Sequence, residues 1–231
     1  MFDESTGVWI VHSVPRFPGN LSSGKYVFAD NAGVFGQSIL CVTFPTEQLN
    51  TIADQLRLQY PNIYQSGAPD EMKRRYPALG LLLNKNFYNR GTWMSQEMMK
   101  RLHSNMNNVF YSFAKHGLSK MDVYEAIAEK LQTSLIASTW LSGKGTPLPA
   151  VRVGSRQFTV KNVCDVRFTL APDGDRFLKF NNSQDHSKWA ISAQTDMGHY
   201  VCIGSLNRKE PQKKKGGETL CFDSPVLHRL L

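Results

Sequence analysis

A 231-residue chain with 41% hydrophobic and 11% aromatic residues can bury a sizeable core in one or two domains, which excludes a disordered tail. Lysine and arginine outnumber acidic residues 27 to 19, a formal charge of +8 before the six histidines protonate; this favours a polyanionic partner such as nucleic acid and fits a merely soluble basic protein as well. No apolar run approaches the roughly 18 residues of a membrane span, and Met1-Phe-Asp-Glu-Ser-Thr6 has neither a basic head nor an apolar segment, so neither a membrane anchor nor a signal segment is expected in the chain as given.

In chain order, Gly7 to Val14 carries Val8, Trp9, Ile10 and Val11 and predicts a buried strand that delivers His12 and Ser13 to a rim before Pro15. Pro15 to Gly36 is a loop, and Ser38 to Phe44 a second strand. A helical stripe follows from Thr46 through Leu49, Ile52, Ala53 and Leu56, ended by Pro61. Asp70 to Tyr76 predicts a short amphipathic helix whose Lys73, Arg74 and Arg75 form a basic face. Trp93 and the methionines at 94, 98 and 99 read as core packing rather than a base-stacking platform.

Val109 to Ala114 predicts a strand, Ser119 with Asp122 a capping box for a helix through Tyr124, Ile127 and Leu131, and Leu135 to Leu141 another strand. Ala150 to Gly154 and Phe158 to Val163 predict a hairpin, and Val166 to Leu170 a strand. Pro172 to Asp175 is a turn, and Tyr200 to Leu206 a strand that sets Asn207 beside His186, facing one pocket. Pro211 to Gly217, with Lys213 to Lys215, is a basic exposed loop. The sequence as a whole predicts a mixed α/β architecture with crossover connections.

The chemistry concentrates in Asp185-His-Ser-Lys-Trp-Ala-Ile-Ser192. In extended backbone, residues i and i+2 share a face, so the His186 imidazole and the Lys188 ammonium would meet one anion. A neutral imidazole attacks phosphorus or shuttles a proton, and a lysine neutralises charge developing on the non-bridging oxygens, without a metal or other cofactor. Acidic residues do not cluster with histidines at ligand spacing. The four cysteines, Cys41, Cys164, Cys202 and Cys221, suit two bridges or four free thiols, and Asn20 and Asn181 begin glycosylation sequons.

Five segments occur in the order seen in the deoxyribonuclease II family: Gly7-Val-Trp-Ile-Val-His-Ser-Val-Pro-Arg-Phe-Pro18, Ser38-Ile-Leu-Cys-Val-Thr-Phe44, Asp185-His-Ser-Lys-Trp189, Cys202-Ile-Gly-Ser-Leu-Asn-Arg208 and Gly216-Gly-Glu-Thr-Leu-Cys221. Ser112-Phe-Ala-Lys115 fits as well, and the sequence resembles that family over almost its whole length. The resemblance implies a metal-independent acid endonuclease acting on DNA in lysosomes or after secretion. It would leave 3′-phosphate products through a phosphohistidine intermediate. It also implies a phospholipase D-like mixed sheet flanked by helices, in two pseudo-repeated halves: residues 1–117, the remainder of the first, and 118–231, the second, carrying the His-x-Lys pair. His186 and Lys188 match the second catalytic pair, His12 and Ser13 residues near the first site, and Asn207 a supporting polar residue. Cys202 with Cys221 matches a disulfide, and Cys41 and Cys164 match cysteines whose usual partners lie outside this sequence.

The sequence departs from the family pattern in one important respect. None of the other histidines begins a second His-x-Lys, and the family's first pair would fall just before Met1; Ser205 also stands where the family usually has aspartate. The expectation is therefore a truncated, weakly active or inactive nuclease. The alternatives are a short relative that binds DNA without cutting it, or a homodimer that pools two His186 sites.

Overall fold

The computed structural model describes residues 2–15, 25, 32–155, 157–169 and 177–231. Strands β1 (Thr6–His12) and β2 (Ile39–Pro45) form an antiparallel ribbon pairing Val8 with Thr43, Ile10 with Cys41 and His12 with Ile39. After a 3₁₀ turn at Thr46–Gln48 come α1 (Leu49–Gln59), α2 (Asp70–Arg75) and α3 (Pro77–Leu83). The α1 helix stops one residue before the expected Pro61 boundary, because Tyr60 takes a left-handed conformation (φ 56°).

Strands β3 (Met99–His103) and β4 (Val109–Lys115) precede α4 (Val123–Lys130), β5 (Leu135–Ser138), β6 (Val151–Val153) and β7 (Phe158–Asn162). Then come β8 (Asp165–Thr169), β9 (Phe177–Asn181), β10 (Trp189–Ser192), β11 (Tyr200–Gly204), the short α5 (Glu210–Lys213), β12 (Gly217–Asp223) and α6 (Pro225–Leu230). Eight strands form one mixed sheet in the order β3-β4-β12-β11-β10-β5-β7-β6, with β5 and β7 parallel, while β8 and β9 form a separate ribbon. The expected mixed α/β architecture is present. The boundary expected at 117/118 falls in the 3₁₀ turn Gly117–Ser119, and the large sheet draws strands from both sides of it.

Alternation along the central strands builds two cores. Trp189, Val201, Ile203, Leu220 and Phe110 point to one face and meet Val11, Val42 and Phe44 of the β1–β2 ribbon. Ala190, Cys202, Cys221 and Phe113 point to the other and meet Val123, Tyr124 and Ile127 of α4. The expected disulfide is present on the α4 face: Cys202 and Cys221 are register partners on β11 and β12 with Cα atoms 4.0 Å apart. Closing 19 residues of sequence, it stabilises the fold by on the order of 3 kcal/mol. Cys41 and Cys164 are free and exposed. The strand expected to be buried from Gly7 to Val14 buries one face alone: Val11 is in the core, whereas Val8 and Ile10, with Ile39 of β2, are exposed on the outward face of the two-stranded ribbon. Among the described residues no helix is long and apolar enough to cross a membrane.

Several local expectations are corrected. Asp122, not Ser119, caps α4, accepting the Tyr124 N–H at 3.1 Å, while Ser119 belongs to the preceding 3₁₀ turn. Strand β5 ends at Ser138 because the Asn182 side chain donates to the Thr139 carbonyl and accepts from the Leu141 N–H, taking the groups that would continue the ladder. Met98 and Met99 pack against the core, whereas Met94 is exposed and Trp93 stacks on His116. The expected loop from Pro211 contains α5, and the turn expected at Pro172–Asp175 lies outside the described residues.

The α4 cap is part of a buried ion pair. Arg208, fully buried, donates from Nε to Asp122 Oδ2 at 2.8 Å. Asp122→Ala leaves that guanidinium without its counter-ion and α4 without its cap, so a loss of about 3–5 kcal/mol is expected in urea denaturation. A second buried acid gives stability a pH dependence. Glu218 on β12 accepts from Gln59 Nε2 at 2.7 Å, and burial pushes its carboxyl up to about 7. Its folded pKa lies above the unfolded value, so its stabilising contribution is fully present below the unfolded pKa and is lost as pH rises through about 7. Glu218→Gln should therefore raise the melting temperature at pH about 8 while changing it little at pH about 4, an expectation checked by calorimetry at both values.

Candidate active site

The His186 site is assembled from three chain segments. A parallel bridge joins Gly36 to Asp185: Gly36 donates to the Gln184 carbonyl at 2.9 Å and the His186 N–H donates to the Gly36 carbonyl at 2.8 Å. Gly36 is required by the close approach, since a Cβ there would lie 2.8 Å from Asp185 Oδ1. Asp185 is buried and folds onto its own chain, accepting from Ser187 N at 2.9 Å and Ser187 Oγ at 2.7 Å, with Ser138 Oγ at 3.4 Å. These bonds fix the turn that presents His186 immediately before β10.

The imidazole is half-buried. Its Nδ1 lies 2.7 Å from the Ser13 carbonyl, and Lys188 Nζ donates to the His186 carbonyl at 2.5 Å while standing 3.4 Å from the same Nδ1. The carbonyl can only accept and so calls for a proton on Nδ1, while the ammonium would call for a lone pair there. The 2.7 Å contact outweighs the 3.4 Å one, and Lys188 is already satisfied by the His186 carbonyl, so Nδ1 carries the proton given to Ser13 and the lone pair is left on Nε2. Among the described residues no group is within hydrogen-bonding distance of Nε2, the nitrogen free to react. The Trp140 ring meets the imidazole edge-on at 4.6 Å between centroids and packs in turn on Phe35 at 4.7 Å, forming an aromatic wall. A mostly apolar cavity of about 490 Å³ lies on the other side of this segment, lined by Asp185, Ser187, Trp189, Ile203 and Phe222 among others, and neither His186 nor Lys188 lines it.

Electrostatics favour a neutral imidazole beside a cation. Burial, then the Lys188 charge, lowers the His186 pKa below its ordinary value, against the opposing effects of the Ser13 carbonyl and Asp185. Burial lowers Lys188 to about 8, so at acid pH it remains charged. The expected sharing of one face by His186 and Lys188 is present.

The other expected residues divide. Ser13 reaches the site, but through its main-chain carbonyl; its hydroxyl donates to Gln37 Oε1 at 2.7 Å and accepts from Ser38 N at 2.9 Å. His12 is exposed, on the opposite face of β1 from the buried Val11, and among the described residues makes no hydrogen bond to His186. Asn207 follows β11 at the same sheet end as His186, because β10 and β11 are antiparallel neighbours. Its side chain, however, lines a separate crevice with Lys115 and Asp122 rather than one pocket with His186, and its buried Oδ1 has no hydrogen-bond partner among the described residues. The Asn181 side chain is turned back onto Ser183, and Asn20 lies outside the described residues. Sequence reading missed Trp140 and Gln37; an aromatic two residues past a short strand carries no signal until the fold sets it against His186.

Among the described residues no group of three or more His, Cys, Asp or Glu side chains converges as a metal site. A mostly apolar cavity of about 620 Å³ lies between the ribbon and α1 with α3, and neither His186 nor Lys188 lines it. The site geometry makes a direct prediction. His186 should titrate below the ordinary histidine range by NMR, with the proton of the neutral ring on Nδ1, and Lys188→Met should shift its midpoint upward because a neighbouring positive charge is removed.

Comparison with known proteins shows the family. The chain is 35% identical over 226 residues to Deoxyribonuclease-2-alpha of Mus musculus, covering 97% of this chain and 60% of that protein. It is 31% identical over 229 residues to Plancitoxin-1 of Acanthaster planci, covering 99% and 60%, and 28% identical over 233 residues to Cell death-related nuclease 6 of Caenorhabditis elegans, covering 96% and 57%. The chain thus spans about 60% of the length of these curated relatives. The Deoxyribonuclease II family model matches residues 1–231, and the chain belongs to the deoxyribonuclease II family.

Proposed function

We propose that this chain hydrolyses DNA phosphodiesters at His186 in an acidic compartment, without a metal, leaving 3′-phosphate ends. The observation that carries the reading is the Nδ1–H bond to the Ser13 carbonyl, which leaves the lone pair on Nε2 of a ring whose Nδ1 lies 3.4 Å from the Lys188 ammonium. Family membership supports the substrate class, and the Cys202–Cys221 disulfide supports a lysosomal or secreted setting.

In this mechanism Nε2 attacks phosphorus, the bond from phosphorus to the 5′ oxygen breaks, and that oxygen takes a proton and leaves as a hydroxyl. Water then attacks the phosphohistidine, the bond from phosphorus to nitrogen breaks, and the 3′-phosphate departs with His186 restored. Lys188 neutralises the charge that builds on the non-bridging oxygens.

This sequence has a single His-x-Lys, and His12 faces outward, so the leaving-group proton comes from solvent. Cleavage is therefore expected to be slow, by several powers of ten relative to a site with a second positioned histidine. The same observation supports a second reading, a relative that binds DNA without cutting it.

Plasmid cleavage in EDTA, with wild-type and His186→Ala protein in parallel, separates the two. Hydrolysis predicts cleavage that chelator leaves unchanged, that is lost in His186→Ala, and that declines both below the depressed His186 pKa and above the Lys188 value of about 8. A rate rising with the square of protein concentration would instead indicate two copies pooling their His186 sites. No cleavage by either protein, with salt-dependent binding by both, supports the binding reading.

A further inference from the structure

We infer that a second pocket, at the same end of the sheet as His186, is a nucleotide subsite that holds the DNA strand at a distance from the reacting phosphodiester; the inference rests on the proposed DNA-directed function. The register places it. Trp189 pairs with Ile203, Gly204 with Thr219 and Gly217 with Lys115, so the start of β10, the end of β11, the start of β12 and the end of β4 line one edge. His186 precedes β10 and His116 follows β4, three strand spacings away, or about 15 Å. A strand of DNA lying across these ends would meet both positions.

The pocket, of about 590 Å³, is lined by Tyr60, Arg90, His116, Lys214 and Lys215 among others. Its aromatic wall is assembled: the His116 ring stacks on Trp93 at 5.7 Å with 10° between planes, and the Tyr60 ring meets His116 edge-on at 6.2 Å. His116 is buried and accepts the Leu118 N–H at Nδ1, which fixes its orientation. Tyr60, by contrast, is 64% exposed, a large ring offered to solvent at the pocket mouth.

The cations are also held in place. Lys115, buried at the end of β4, donates to the carbonyls of Lys213 at 2.9 Å and Lys215 at 2.5 Å and so pins the loop that carries Lys214 and Lys215. Gly216 seals the loop against α1, since a Cβ there would overlap the Gln59 carbonyl at 1.8 Å. Among the described residues Lys214, Lys215 and Arg90 have no acidic partner, whereas neighbouring Lys213 pairs with Glu210 at 3.6 Å. Three uncompensated cations around an exposed aromatic ring suit a phosphate with a base to stack on Tyr60; a simple anion would leave the ring unused.

The test uses the full chain carrying His186→Ala, so that binding is read apart from cleavage, and a fluorescent single-stranded oligothymidylate of about ten nucleotides, followed by anisotropy across a salt series. Adding R90A/K214A/K215A should weaken binding at least about tenfold and lower the log–log salt slope by about two. Adding Tyr60→Asn, which keeps a residue tolerant of the left-handed backbone while removing the ring, should weaken binding about five- to tenfold with the slope unchanged. With His186 intact, a dinucleotide too short to span both positions should be cleaved equally by wild type and pocket variants.

Unchanged affinity and slope in the triple variant overturn the subsite, as does failure of the parent chain to bind the oligonucleotide. If the pocket effects hold but nothing is cleaved, the subsite stands and the hydrolytic reading fails. If long and short substrates are cleaved equally by every pocket variant, hydrolysis stands and the subsite fails.

Discussion

The working end of the sheet depends on one buried guanidinium. Arg208, immediately after Asn207, has no solvent exposure and makes bonds in several directions: Nε to Asp122, Nη1 to Asn162 Oδ1 at 2.6 Å, Nη2 to the Pro149 carbonyl at 3.1 Å, and its own N–H to Thr139 Oγ1 at 3.0 Å. Those partners are the cap of α4, the end of β7, the loop before β6 and the residue after β5. A planar fork with fixed donor directions ties these elements to the end of β11 in one arrangement, and lysine has no equivalent geometry. Without that tie, the segment from Thr139 to Trp140, which supplies the wall beside His186, would have no fixed relation to the strand that carries it.

The same edge holds three further buried cations, each bonded by main-chain carbonyls. Lys188 donates to the His186 carbonyl, Lys115 to those of Lys213 and Lys215, and Lys209 to those of Ser142 and Gly143 at 2.8 and 2.9 Å. A carbonyl satisfies an ammonium without cancelling its charge, whereas a carboxylate would neutralise it. The sheet end therefore carries a fixed positive field; of its buried acids Asp122 is committed to Arg208, Asp185 to Ser187, and Glu218 is held uncharged by burial up to about pH 7. Burial costs show in the lowered pKa values of Lys115 and Lys188, both about 8, and acid conditions hold both groups charged.

This arrangement explains what was legible in the sequence. Short apolar runs and aromatic or β-branched content marked β1, β2, β4 and β11, and the His-x-Lys spacing marked the shared face of His186 and Lys188 because extended backbone alone dictates it. β3 and β9 were missed: Met99–His103 has only Leu102 fully buried, and Phe177–Asn181 belongs to a two-stranded ribbon with largely exposed side chains, so neither shows clean alternation. The α4 start was misplaced by three residues because Ser119 and Asp122 both suit a cap, and the Arg208 pairing that selects Asp122 lies 86 residues away. Ser13 was legible as a site residue, but not its means of acting, since every residue has a carbonyl and only the tertiary fold brings this one to Nδ1.

Tautomer and charge at His186 are thus set by separate devices, and the separation has a chemical consequence. The Ser13 carbonyl determines which nitrogen carries the proton, while burial and Lys188 determine over what pH range the other nitrogen keeps its lone pair. A carboxylate in place of that carbonyl would orient the ring equally well but would raise its pKa, so that in an acidic compartment most molecules would hold a protonated, non-nucleophilic imidazole. A neutral acceptor avoids that penalty, and Asp185, the nearest acid in sequence, is occupied by Ser187 and Ser138 rather than by the ring. The site is built to keep a histidine uncharged beside a lysine that is charged, at a sheet edge whose remaining cations carry charge of the same sign.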